Sequence, residues 1–277
     1  VSTPAAPGTG SAERHVHEAL LAGSGAATRA SAWRIAALAA IVIAALAFTG
    51  SFDRERLIDG LPALAQIASE MMPPDFARWR AWMRPLLDTL AMSIAGTAIA
   101  VVLALPLALL AAPNTSPGRA AQQASRLLLN LLRAIPELIM GILFVAAVGF
   151  GALPGVLALA LHSVGMVGKF FAEAIEHADP RPIEAARAAG GTRLQVIWHA
   201  VLPQVLPQMA DTTVYRWEYN FRASTVMGAV GAGGIGTELM GSLRLMDYPQ
   251  VGAILLCILL CVTLVDSLGQ RIRRRLA

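Results

Sequence analysis

Charge is what this chain has least of. Of its 277 residues 14% are Asp, Glu, Lys or Arg and 56% are hydrophobic, where soluble domains carry about 25% charged residues. The deficit excludes an ordinary water-soluble globule and points to a membrane protein. Cysteine is as scarce. Cys257 and Cys261 sit four apart on one helix face of the last apolar run, with no histidine nearby, and read as packing residues rather than metal ligands. No phosphate-cradling G-x-x-x-x-G-K-[ST] loop is present, so the chain has no ATP site of the usual kind. Ser163 follows His162, yet no G-x-S-x-G surrounds it, and adjacent residues point to different helix faces. A helix-packing hydrogen bond is the reading for that pair, and an intramembrane hydrolase is set aside. The repeat halves of a secondary transporter are missing too.

What is present is a series of long apolar runs, and the fold class they predict is all-α and polytopic. About six spans are expected, near residues 33–50, 86–112, 127–150, 153–171, 205–227 and 250–268. Residues 1–31, rich in Ala, Gly, Ser and Thr, read as a disordered cytoplasmic tail, and 32–277 as one transmembrane domain. Ala45-Leu46-Ala47 at the end of the first run would also suit a signal peptidase, and either way the next segment lies outside the cytoplasm. There Pro73-Pro74 and the aromatic stretch Phe76, Trp79, Trp82 predict one or two helices along the outer membrane surface. Pro106 should kink the second span.

The fifth span is inferred from topology. Residues 205–227 contain Asp211, Arg216, Glu218 and Arg222, enough to hide them from a hydropathy window. The tail Arg271, Arg273, Arg274, Arg275 should be cytoplasmic by the positive-inside rule, as should the loop at 172–204. An even number of crossings must separate the two, so 205–227 crosses, and both termini are placed in the cytoplasm.

Intramembrane charges must face protein or a watery path. Glu218 and Arg222 have the spacing of a helix ion pair, as do Arg133 and Glu137 around Pro136, and mutual neutralisation is expected for both pairs. Arg216 has no acid three or four residues away. Tyr219 and Asn220 share its face, and a fixed guanidinium there suits a tetrahedral oxyanion. The expected substrate pathway therefore holds Arg216, Tyr219, Asn220 and Arg222. Neutralisation of Arg216 by Asp211 or by a neighbouring helix is the alternative. Gly231, Gly233 and Gly236 spell G-x-G-x-x-G, but after a membrane span rather than a strand, so no dinucleotide site follows. With Gly234 they predict a close-packed turn or broken helix at the external mouth of a pathway.

The most charged and most punctuated stretch is 179–204, DPRPIEAARAAGGTRLQVIWHAVLPQ. Asp179 can cap a helix that starts at Pro180, and Gly190-Gly191 can stop it. Thr192 and Gln195 then form a capping box for a second helix that meets Pro203. A DNA-reading helix-turn-helix is set aside, because apolar spans flank the hairpin on both sides.

Glu184-Ala185-Ala186, then Gly190 after three residues, then Leu202-Pro203 resemble the EAA loop of permease subunits of bacterial ATP-binding-cassette importers. One departure is Ala200, where that pattern has isoleucine. Further blocks resemble the phosphonate and phosphite branch: Pro73 to Phe76, Leu132 to Glu137, Gly168 to Glu176, Val201 to Gln204, and Tyr215 to Gly236. The resemblance covers roughly Pro73 to the C-terminus and implies an inner-membrane permease that is not itself an enzyme. Its implied partners are a second copy of itself, two ATPase subunits holding ATP and Mg, a periplasmic substrate-binding protein and lipid, with no nucleic acid. This chain would carry no cofactor or metal. Glu184, Ala185, Ala186, Arg187, Gly190, Leu202 and Pro203 would form the ATPase-coupling loop. Phosphonate or phosphite is the implied cargo; a methionine-type importer and a stand-alone secondary transporter are the alternatives.

Overall fold

A computed structural model describes residues 31–276, all of whose regular elements are helical. The expected N-terminal tail lies, apart from Ser31, outside the described residues. The chain divides into two units, 1–66 and 67–277. In the first, α1 (Ser31–Phe48) is apolar and long enough to cross a bilayer. It is followed by the start of α2 (Arg54–Glu70), which runs through Pro62.

The second unit is built around α3 (Trp79–Ala111) and α6 (Ala152–Glu176), both long enough to span. Their contact is made of small residues, which let helix backbones approach closely where lipid supplies no hydrophobic drive. Ala100, Ala104 and Ala108, spaced four apart, form a fully buried stripe on α3. Gly96 of α3 is hemmed in by α6, since a β-carbon there would stand 3.0 Å from Leu159 Cβ. Gly165 and Gly168 open the other side of α6 to α4 (Arg119–Ala134); a β-carbon at Gly168 would lie 2.4 Å from Leu129 Cδ2.

The third expected span is broken. α4 and α5 (Glu137–Val148) meet at 85° across Ile135-Pro136. Pro136 cannot donate to the helix ladder and holds Ile135 extended, at φ −90° and ψ 120°. Trp82 departs from expectation as well. It belongs to α3 rather than to a surface helix and is 1% exposed, packed with Ile235, Ala253 and Ile254; Trp79 stays half exposed.

After α7 (Pro180–Ala188), α8 (Arg193–Val196) and one π-helical turn at Ile197–Val201, α9 (Leu202–Met227) runs unbroken for 26 residues. At 1.5 Å per residue that is about 39 Å, more than the ~30 Å hydrocarbon core. It packs against α3, α6 and α11 (Tyr248–Leu276), with α10 (Ile235–Arg244) in between in sequence.

Candidate functional site

Two regions carry the unusual chemistry, and the first is the hairpin of α7 and α8. Asp179 accepts a hydrogen bond from the Arg181 amide at 2.9 Å, capping α7 with Pro180 in its first turn. The Arg181 guanidinium closes on the same carboxylate. That contact holds the Asp179 carboxyl below its ordinary range and raises Arg181, both at the open surface. Gly190 ends the helix at φ +82°, a conformation L side chains rarely adopt, and the Gly191 amide returns to the Ala186 carbonyl at 3.0 Å. The Thr192–Gln195 capping box is formed.

Anchors tie the hairpin to the rest of its unit. Ile183, Val196 and Ile197 are buried beneath it, Arg193 donates to the Thr115 carbonyl at 2.6 Å, and the Asp179 amide donates to Gln204 Oε1 at 2.8 Å. Arg187 reaches the Asn114 carbonyl at 3.5 Å. Glu184, Ala185 and Gly190 are exposed, Ala186 is half-buried, Leu202 is buried and Pro203 exposed at the start of α9. Leu194 and Trp198 are 69% and 65% exposed beside them, an apolar pair that sequence reasoning had not singled out. Ala200, the departure from the EAA pattern, is buried under this surface.

The second region is a buried polar cluster where α3, α5, α6 and α9 meet. Arg216, 5% exposed, donates from Nε to Ser163 Oγ at 2.8 Å. Ser163 donates to Asn220 Oδ1 at 3.1 Å, and Asn220 donates from Nδ2 to Thr97 Oγ1 at 2.9 Å. The Arg216 guanidinium lies 4.3 Å from the centre of the Tyr219 ring, whose hydroxyl donates to Glu137 Oε1 at 2.8 Å. His162 faces the other carboxylate oxygen from α6, 3.3 Å away. The Arg216 Nη2 atom is buried without a hydrogen-bond partner, a costly arrangement for a charged donor that is tolerable where a ligand takes it up.

The structure brings Arg216, Tyr219 and Asn220 together and separates Arg222 from them. Arg222 pairs with Asp266 of α11 at 2.7 Å, and Glu218 pairs with Arg273 at 2.7 Å, so the expected Glu218–Arg222 pair does not form. Nor does Arg133–Glu137: Arg133 donates to Asn130, and Glu137 turns to Tyr219 and His162. Glu218, Arg222 and Glu137 take partners on other helices, while Arg133, parted from Glu137 by the bend at Pro136, turns back to Asn130 of its own helix. Asp211 approaches Arg273 at 3.8 Å and leaves Arg216 alone. Ser163, His162 and Glu137 are cluster members whose shared role carried no local sequence signal.

The glycine-rich segment forms one 3-10 turn at Gly228–Val230 and then a loop with Gly231, Gly233 and Gly234 at φ +83°, +80° and +77°. Thr89 of α3 closes it, accepting the Ile235 amide at 2.8 Å. Gly228 and Gly236 touch backbone to backbone; a β-carbon on Gly236 would stand 2.0 Å from the Thr225 carbonyl.

Residues 104–277 match the family described as binding-protein-dependent transport system inner membrane component. The chain is 64% identical to the phosphite transport system permease protein PtxC of Stutzerimonas stutzeri, over 87% of this chain and 90% of that one. It is 43% identical to the phosphate-import permease protein PhnE of Mycolicibacterium smegmatis, over 79% of this chain and 41% of that one. Among solved structures, an inward-facing form of the MetNI methionine ABC transporter superposes with a TM-score of 0.62 at 23% identity, covering 71% of this chain and 96% of that one. That last likeness shows the fold.

Proposed function

Because the chain belongs to the family of inner-membrane components of binding-protein-dependent transport systems, we propose that it is the subunit through which phosphite, or a closely related phosphonate, crosses the bacterial inner membrane. Membership implies work alongside an ATPase and a substrate-binding protein. Two copies of this chain would form the path at their interface. Two ATPase subunits holding ATP and Mg would dock on the hairpin around Glu184, Ala185 and Gly190, and their closure would rock the copies between inward- and outward-open forms. Six crossings with both termini in the cytoplasm suit this reading, with the bent α4–α5 pair counted as one and the charged α9 as another. The glycine turn from Gly231 to Gly236 would sit at the outer mouth.

The observation that carries the oxyanion reading is the Arg216 guanidinium, buried between helices with Nη2 unpartnered. A planar fork of donors on a rigid helix matches the oxygens of a tetrahedral anion. Methionine is suggested only by distant relatives, one of them at 26% identity. Phosphite as the particular anion is supported by the 64% identical relative.

The test is growth. A bacterium that oxidises phosphite, deleted for its own importer permease and supplied with this chain beside the matching ATPase and binding protein, is expected to grow on phosphite as sole phosphorus source. Growth on phosphate without growth on phosphite or methylphosphonate would refute the reading.

A further inference from the structure

The polar cluster contains a proton whose place the hydrogen-bond geometry defines. His162 Nδ1 lies 3.1 Å from the Ile135 carbonyl oxygen. A carbonyl can only accept, so Nδ1 carries the hydrogen. The other ring nitrogen, Nε2, lies 3.3 Å from Glu137 Oε2. A neutral imidazole with its hydrogen on Nδ1 presents a lone pair there, and so does an ionised carboxylate. The contact is attractive when a proton lies between the two atoms, whether drawn as imidazolium with carboxylate or as imidazole with carboxylic acid. Tyr219 holds the carboxylate from the opposite side, donating to Oε1 at 2.8 Å.

The surrounding charges are few. On α9 the Arg216 guanidinium lies over the Tyr219 ring, so one tyrosine touches both the cation and the Glu137 carboxylate. From α3 comes Thr97, uncharged and linked through Asn220 and Ser163 to Arg216. At the end of α4 the Arg133 guanidinium is taken by Asn130 at the surface. With its proton the His162–Glu137 pair is neutral overall, and the cluster keeps the one positive charge of Arg216. Without it the pair is negative and cancels that charge.

We propose that Glu137 and His162 set the charge offered to the anion: while they hold their shared proton, the site at Arg216 takes a singly charged tetrahedral oxyanion, and loss of the proton withdraws that attraction. The proposal rests on Arg216 being a contact of the transported anion. Glu137 is a positioning and charge-setting residue in this account, acting through Tyr219 and His162. Oxyacids of phosphorus change between one and two negative charges near neutrality, as phosphoryl groups with a second pKa of about 6 do. A site with one net positive charge, held on a buried guanidinium, therefore distinguishes the two forms.

Glu137→Gln separates charge from shape. Its amide oxygen still accepts from Tyr219, and its amide N–H donates to the lone pair of neutral Nε2, so the site keeps one positive charge at every pH. Phosphite uptake is measured in proteoliposomes holding the permease with its ATPase and binding protein, parent against variant, from about pH 5 to about pH 8. The ATPase and binding protein are common to both arms, so their own pH responses cancel in the ratio. The variant-to-parent ratio is expected to rise about fivefold across that range as the parent loses its proton. A flat ratio beside active uptake overturns this inference alone, whereas no phosphite uptake by the parent at any pH overturns the proposed function and this inference with it. If the variant does not assemble, nitrogen-15 histidine spectra of the parent complex decide: Nδ1 of His162 protonated throughout, with Nε2 titrating, supports the shared proton, and an Nε2–H tautomer with bare Nδ1 overturns it.

Discussion

The Glu218 carboxylate of α9 lies against the backbone of Gly269 on α11, where a β-carbon would stand 1.8 Å from Oε1, and from there it reaches Arg273 at 2.7 Å. The absence of a side chain at Gly269 lets a buried acid pass between two helices to its cation. Such a pair does not pull the fold together strongly, but breaking it takes from Arg273 its close partner and leaves only the 3.8 Å approach of Asp211.

Glu218→Ala is therefore expected to destabilise the chain by about 3 kcal/mol, at the low end for a broken buried pair because Arg273 stays partly exposed. Gly269→Ala should cost less, since the carboxylate can swing aside. In the Glu218→Ala background the sign should reverse, because alanine favours a helix over glycine by up to about 1 kcal/mol. Thermal unfolding of the four proteins in mild detergent checks this; the same loss from Gly269→Ala in both backgrounds would refute the contact.

The glycine crossing makes a second prediction. Gly228→Ala and Gly236→Ala push a methyl group into backbone atoms 2.2 Å and 2.0 Å away, and backbone cannot step aside as a flexible side chain can. Each is expected to cost about 1–3 kcal/mol or to prevent assembly. Gly241, inside α10 with nothing within 4 Å of its β-position, is the control, and Gly241→Ala should leave yield intact and the melting temperature at or slightly above that of the parent.

At the hairpin, the Asp179 cap should show an acid limit. Its hydrogen bonds from Arg181 hold the folded-state carboxyl below the unfolded value. Its contribution is therefore full above the unfolded pKa of about 3.9 and disappears as pH falls through the lower folded value. Exchange of the amides in residues 183–188, taken relative to the intrinsic rate at each pH, should accelerate in acid in the parent. Asp179→Ala should exchange fast at every pH, and Asp179→Asn, which still caps, should stay protected without the acid limit. Acid acceleration that persists in Asp179→Asn would assign the limit to another group.

Arg216→Lys keeps the charge but loses the planar fork and the Nε bond to Ser163. Phosphite uptake is expected to fall at least about tenfold, consistent with loss of a charge-assisted bond of about 1.5–3 kcal/mol, while the ATPase still co-purifies. Unchanged uptake by Arg216→Lys and Arg216→Ala would remove the arginine from the path.

The parts legible in the sequence are those encoded by neighbours. Asp179 with Pro180, the left-handed Gly190 and the Thr192–Gln195 box are each specified within a few residues, and each is found in the structure. The crossing expected at 205–227 rests on topology; the structure makes those residues part of the helix Leu202–Met227 and shows where its charges go. Glu218 and Arg222 are matched by Arg273 and Asp266, 55 and 44 residues away. The same separation explains the failures. Nothing near Glu137 announces that Tyr219 and His162 will hold it, and nothing near Gly269 announces Glu218. Four-residue spacing suggested partners for Glu218 and Arg133; a contact from α11 overrode the first, and the bend at Pro136 undid the second. Trp82 looked interfacial because composition cannot tell an aromatic at the membrane boundary from one turned inward by helix α3.

Whether ATP hydrolysis drives an oxyanion through this chain is tested most directly by phosphite accumulation in sealed proteoliposomes holding the permease and its ATPase, with the binding protein outside and ATP inside. The account predicts accumulation that requires all three and stops with Glu184→Lys, an exposed change on α7 that should leave the fold intact. Accumulation that continues without ATP, or with Glu184→Lys at the parent rate, would contradict it.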